Sequence, residues 1–144
     1  MGLFDALGGK EKPRPEEVLR KHVLQVMEVL EETEGLIDSL TPDLRQSARR
    51  SFDQDVGESV GECRKRLEKM ERKLLQGDLG SIPRPELTGL RERMVRLDEH
   101  LISTYLQTMK LVGDRQGRRA IRASAKRRAE MVEDLLKALD RAMR

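Results

Sequence analysis

The chain has 144 residues, 37% hydrophobic, 38% charged and 2% aromatic, with a net charge of +3. That length suits one domain, and Phe4, Phe52 and Tyr105 are too few for the aromatic core of a β-sandwich or for a base-stacking platform. A single cysteine, Cys63, excludes an internal disulfide framework and a cysteine-based zinc site.

Residues 1–14 precede the first strong helical pattern and are read as a flexible segment. Leu3, Phe4 and Leu7 fall on one side of a short turn before Gly8-Gly9, with Lys10, Lys12 and Arg14 following. That pattern suits a weak membrane-surface anchor, a docking peptide, or a lid on the end of the bundle. Ala6 stands where an N-myristoylation signal needs Ser or Thr. No apolar run reaches the ~20 residues that span a bilayer and no signal-peptide pattern is present, so a cytoplasmic location is expected.

Residues 15–144 read as a single helical domain of four segments. The first, 15–40, places Leu19, Val23, Val26, Leu30, Thr33, Ile37 and Leu40 at alternating spacings of four and three, a heptad seam. Pro15 suits a first-turn position, and Glu16 and Glu17 complement the helix dipole. Thr41-Pro42 then caps and opens the next segment.

The second segment, 42–76, carries Leu44, Ala48, Phe52, Val56, Val60, Cys63, Leu67, Met70 and Leu74. As one helix it is about 50 Å long, against about 40 Å for the first. Gly57 and Gly61 lie in its middle, so a kink near Gly57 or a close approach by another helix is expected.

After the Gly77–Arg84 loop, segment 85–112 presents Leu87, Leu90, Met94, Leu97, Leu101, Tyr105, Met109 and Val112. Segment 115–143 presents Ile121, Ala125, Ala129, Val132, Leu136, Leu139 and Met143, after a break at Gly113 with Asp114 as cap. Four single-striped helices with short connections predict an all-α, coiled-coil-like, antiparallel up-down-up-down four-helix bundle.

Charge is divided along this framework. Residues 15–40 hold seven acids against two bases, and residues 114–144 ten bases against five acids. Arg115, Arg119, Arg122 and Lys126 form one stripe beside the last seam, widened by Arg118, Arg127 and Arg128. Glu17, Glu28, Glu31 and Asp38 stripe the first helix. Opposed stripes select helix partners within a chain or across a dimer. The competing readings are binding to the acidic face of a protein partner and polyanion binding, the latter without interleaved aromatics or a recognised nucleic-acid motif.

Little chemistry is expected. His22 and His100 lack the Glu-x-x-His spacing of di-iron bundles, and the residues after His100 do not suit a phosphorelay histidine. Cys63 lies on an apolar seam as a small core residue, and no glycine-rich phosphate loop is present. No metal, cofactor or small-molecule substrate is implied. The sequence points to a non-enzymatic scaffold or adaptor, homo-oligomeric with a dimer favoured, that presents helix faces to a protein partner. Non-specific nucleic-acid binding through the seven bases and peripheral membrane contact through Leu3, Phe4 and Leu7 are its alternatives.

Overall fold

Pro15 opens the first helix, where its missing N–H removes a donor that would have no partner there. The computed structural model describes residues 13–144. Helix α1 spans Pro15–Asp38 and buries Leu19, Val23, Val26, Val29, Leu30, Thr33 and Ile37. Thr33, the one polar residue of the seam, satisfies its hydroxyl by donating to the Val29 carbonyl at 2.8 Å. The helix stops at Asp38, leaving Leu40 of the expected seam exposed.

The expected single helix over 42–76 is instead two, α2 (Pro42–Val56) and α3 (Val60–Gln76). Gly57 adopts φ +89°, the left-handed C-terminal stop that a glycine takes without steric penalty. Ser59 restarts the chain through a capping box: its hydroxyl accepts from the Glu62 N–H, and the Glu62 carboxylate accepts from the Ser59 N–H, both at 3.1 Å. The break lets the two halves cover different neighbours. Helix α2 packs mainly on α4 (Arg84–Leu111), whereas α3 packs mainly on α1.

A 3₁₀ turn at Leu79–Ser81 links α3 to α4. The Leu79 N–H donates to Glu16 at 2.6 Å, tying this loop to the start of α1 and holding the Glu16 carboxyl below its ordinary range. Helix α4 ends at Leu111, and α5 (Arg115–Ala142) begins under an Asp114 cap that accepts from the Gly117 N–H at 2.6 Å. All elements described are helical.

Ion pairs give the register. Arg20 meets Glu71 at 2.8 Å and Arg64 meets Glu34 at 3.3 Å, so α1 and α3 run antiparallel. Arg91 meets Asp140 at 2.6 Å, and the Thr88 hydroxyl reaches the Met143 sulfur, so α4 and α5 are antiparallel as well. Helix α1 packs on both α3 and α5. The core between them holds Leu19, Val23, Val26, Leu30, Leu67, Met70, Leu90, Met94, Leu97, Val132, Leu135 and Leu139. At roughly 1.5–3 kcal/mol for each fully buried aliphatic side chain, this apolar contact supplies the stability that the separate helices lack.

Candidate functional site: an uncovered face on the last hairpin

The core does not run the full length of the α4–α5 hairpin. Beyond His100, only Met109 of α4 is buried, and α5 buries nothing before Val132. The expected seam residues Leu101, Tyr105, Ile121, Ala125 and Ala129 are only half-covered. Ile102 is 48% exposed and Leu106 55%. Leu44 and Leu75 of α2 and α3 are also exposed, but on this hairpin the uncovered apolar residues adjoin one another along a groove.

Leu101, Ile102 and Tyr105 of α4 face Arg122, Ala125, Lys126 and Ala129 of α5 across a groove of about 280 Å³. Ile102 also borders a second depression of about 410 Å³, with Glu99, Ser103, Leu106, Gln107 and Lys110 along α4. The two depressions make one continuous face, apolar along its centre and charged along its edges. Neither converges several polar groups on one point, the arrangement that orients a small ligand.

The seven bases separate into distinct roles. Arg118 turns back and donates to the Met109 and Val112 carbonyls at 2.6 and 2.9 Å, closing the C-terminus of α4. Arg127 pairs with Glu32 of α1. Arg128 is half-buried, its Nε has no hydrogen-bond partner, and burial lowers its pKa. Arg115, Arg119, Arg122 and Lys126 are exposed and have no carboxylate within ion-pair distance among the described residues.

The acidic stripe expected on α1 divides similarly. Asp38 pairs with Arg49 of α2 at 2.8 Å, and Glu34 and Glu32 take Arg64 and Arg127. No ion pair forms at Glu17, Glu28 or Glu31 among the described residues. The one α1–α5 pair thus uses Glu32, an acid outside the expected stripe, and the only member of that stripe paired among the described residues, Asp38, is neutralised by α2. Leu3, Phe4 and Leu7 lie outside the described residues. No described helix is long and apolar enough to cross a membrane.

Two polar clusters escaped the sequence reading. At the α2–α3 junction, the Glu58 carboxylate is nearly buried and accepts from Arg66 at 3.1 and 2.8 Å, with Arg93 Nε at 3.9 Å. Arg93 also donates to the Val56 carbonyl at 2.9 Å, capping α2 from another helix. The buried thiol of Cys63 beside this cluster has its pKa pushed up to about 12, by burial first and then by Glu58. That leaves a protonated core residue with little nucleophilic character at neutral pH.

The second cluster surrounds His100. Its Nδ1 lies 2.7 Å from Asp55 and its Nε2 3.5 Å from the Thr104 hydroxyl. Carboxylate, imidazole and hydroxyl stand in the order of an activated nucleophile. However, Thr104 lies mid-helix, where the backbone N–H groups are used in the helix and offer no oxyanion donors. Neither depression is lined by the three residues. Among the described residues, no group of three His, Cys, Asp or Glu side chains forms a metal-binding cluster. Comparisons with protein-family models, curated proteins and solved structures gave no match.

Proposed function

We propose that this chain is a non-enzymatic interaction protein, a homo-oligomeric adaptor that presents the outer face of its α4–α5 hairpin. The observation carrying this reading is the conjunction of exposed Ile102 and Leu106 with the groove between Leu101, Tyr105, Ala125 and Ala129. Helices left with an unfilled apolar stripe gain by burying it against another helix. Sedimentation of the full-length chain over a range of concentrations tests the reading. Self-association is expected, and a monomer at every concentration overturns the homo-oligomeric reading. An antiparallel up-down-up-down four-helix bundle, with α2 and α3 together acting as the second helix, is the topology we propose for the protomer.

One observation favours a second reading, in which the exposed Arg115, Arg119, Arg122 and Lys126 hold a polyanion. Such binding must weaken steeply with added salt as counterions are released. A nucleic-acid oligonucleotide that is retained at low salt and lost as salt rises supports this reading. No retention at low salt removes it.

A further inference from the structure

The basic stripe of α5 has an acidic continuation. On a helical wheel of about 100° per residue, Arg119, Arg122, Lys126, Glu130 and Glu133 lie within an arc of about 80°. All five are exposed. Arg122 and Glu130 lie four residues to either side of Lys126, and Arg119 and Glu133 seven. Between Arg119 and Glu133 the signs therefore reverse about Lys126, while the next pair outward, Arg115 and Lys137, is basic at both ends.

The neighbouring face of α4 has the same property. Glu99 and Lys110 flank Ile102, Ser103, Leu106 and Gln107 along the second depression. Their midpoint falls between Thr104 and Tyr105. Counting along the hairpin from the Arg91–Asp140 and Thr88–Met143 contacts brings Tyr105 level with Lys126. Both residues line the same groove. Two helices thus reverse charge about a common centre, with apolar residues at that centre.

A surface whose charge inverts about its own midpoint is complementary to itself after a half-turn, the requirement of an isologous interface. We propose that two copies of this chain pair face to face through this surface, α5 antiparallel to α5 and α4 antiparallel to α4. Arg122 and Arg119 of each copy then meet Glu130 and Glu133 of the other, and Lys110 meets Glu99. The opposed charges lie about 6 and 10 Å from the axis along α5. Lys126, at the axis, directs its flexible stem toward Glu130, one turn away, rather than toward its counterpart.

Asp98 supplies a separate indication. It lies on the acidic half of the hairpin, and one of its carboxylate oxygens is buried without a partner. Burial, then Glu133 and Glu99, raises its pKa. Within one protomer Asp98 thus sits among acids, and the second copy brings Arg119 and Arg122 to this end. Ile102, Leu106 and Tyr105 supply apolar contact, while the charge pairs fix direction and suppress the parallel alternative.

The face spans about 21 Å of α5 and about two helix diameters in width. That footprint lies at the low end for specific interfaces, so a salt-sensitive dimer with micromolar dissociation is expected. This inference rests on the homo-oligomeric reading above, and its test separates the two.

In a half-turn interface every contact occurs twice. Arg122→Glu sets acid against acid at both sites, and Glu130→Arg sets base against base, so each variant alone should dimerise at least tenfold more weakly. Mixing the two variants should produce a heterodimer, and R122E/E130R in one chain should restore the homodimer. Unchanged circular dichroism and thermal midpoints establish that the variants are folded. A wild-type oligomer indifferent to both reversals, or a mixture that stays monomeric, overturns this interface while leaving self-association standing. A wild-type monomer at every concentration overturns self-association itself. A monomer whose stripe retains an oligonucleotide at low salt assigns the bases to a polyanion instead.

Discussion

His100 of α4 grips α2 in two ways: its Nδ1 stands 2.7 Å from Asp55, and the Phe52 ring meets the imidazole at 78°, with centroids 5.1 Å apart. Helix α2 buries only Phe52 and Val56, so this contact carries a large share of its attachment. Replacing His100 with Ala is expected to destabilise the fold by about 1–3 kcal/mol. Hydrogen exchange should accelerate in residues 42–56 more than in α1 or α3, because α2 is joined to α3 through a left-handed glycine and can loosen as a unit. Uniform acceleration across all helices would show that α2 has no such independence.

Gly57 and Gly61 look interchangeable in the sequence and should respond oppositely to alanine. A Cβ on Gly57 would combine φ +89° with a clash against the Arg93 guanidinium that caps the Val56 carbonyl. Gly57→Ala is expected to cost about 1–3 kcal/mol. A Cβ on Gly61 meets only the Ser59 hydroxyl, at 4.0 Å. Gly61→Ala is expected to stabilise by about 0.5 kcal/mol, since alanine narrows the unfolded ensemble and favours the helix. Denaturant midpoints of the two variants on opposite sides of wild type check the pair.

That contrast marks how far the chain could be read. Seams with close neighbours were legible from apolar spacing alone, as with Leu19, Val23, Val26, Leu30 and Ile37 in α1 or Leu87, Leu90, Met94 and Leu97 in α4. Periodicity could not distinguish a seam that is covered from one that is not. Leu101, Tyr105 and Ala125 continue the pattern into a region where it is only half-buried. The α2–α3 break did leave a local signal, since Gly57 two residues before Ser59-x-x-Glu62 is a stop followed by a capping box. The apolar spacing runs through it because α2 and α3 bury successive parts of one stripe on different partners. For the candidate face, the bases were visible as a stripe. Their separate engagement by Glu32 and by the Met109 and Val112 carbonyls depends on tertiary contacts and a local turn that spacing does not encode.

Cys63 gives the fold a pH dependence at the alkaline end. Its thiol should release a proton near pH 9 in the unfolded chain and near pH 12 in the folded one. Between those values the unfolded state binds fewer protons, so stability present below pH 9 is lost as pH rises toward 12. A Cys63→Ala variant is less stable at pH 7 because it leaves a cavity, yet its stability should fall less steeply across this window. Denaturant titrations of both proteins from pH 8 to about 11 check this. Parallel curves would remove the assigned role of thiol burial.

Asp98 has the opposite relation to neutral pH from an ordinary surface carboxylate. Burial is the first cause of its raised pKa, followed by Glu133 and Glu99. Because the folded-state value exceeds the unfolded one, the group contributes most stability when protonated, below the ordinary value of 3.8, and loses that contribution as pH rises through the folded value. At pH 7 the carboxylate is therefore unfavourable, discounted by its partial exposure. Asp98→Asn removes the charge while keeping the shape, and should stabilise the protomer by about 0.5–1 kcal/mol at pH 7. The advantage should shrink toward zero below about pH 4, where Asp98 is itself neutral. Measurements at a protein concentration low enough to keep the chain monomeric isolate this effect from any cation supplied by a second copy. A variant less stable than wild type at pH 7, or a gain independent of pH, would show that the carboxylate is better compensated than its surroundings indicate.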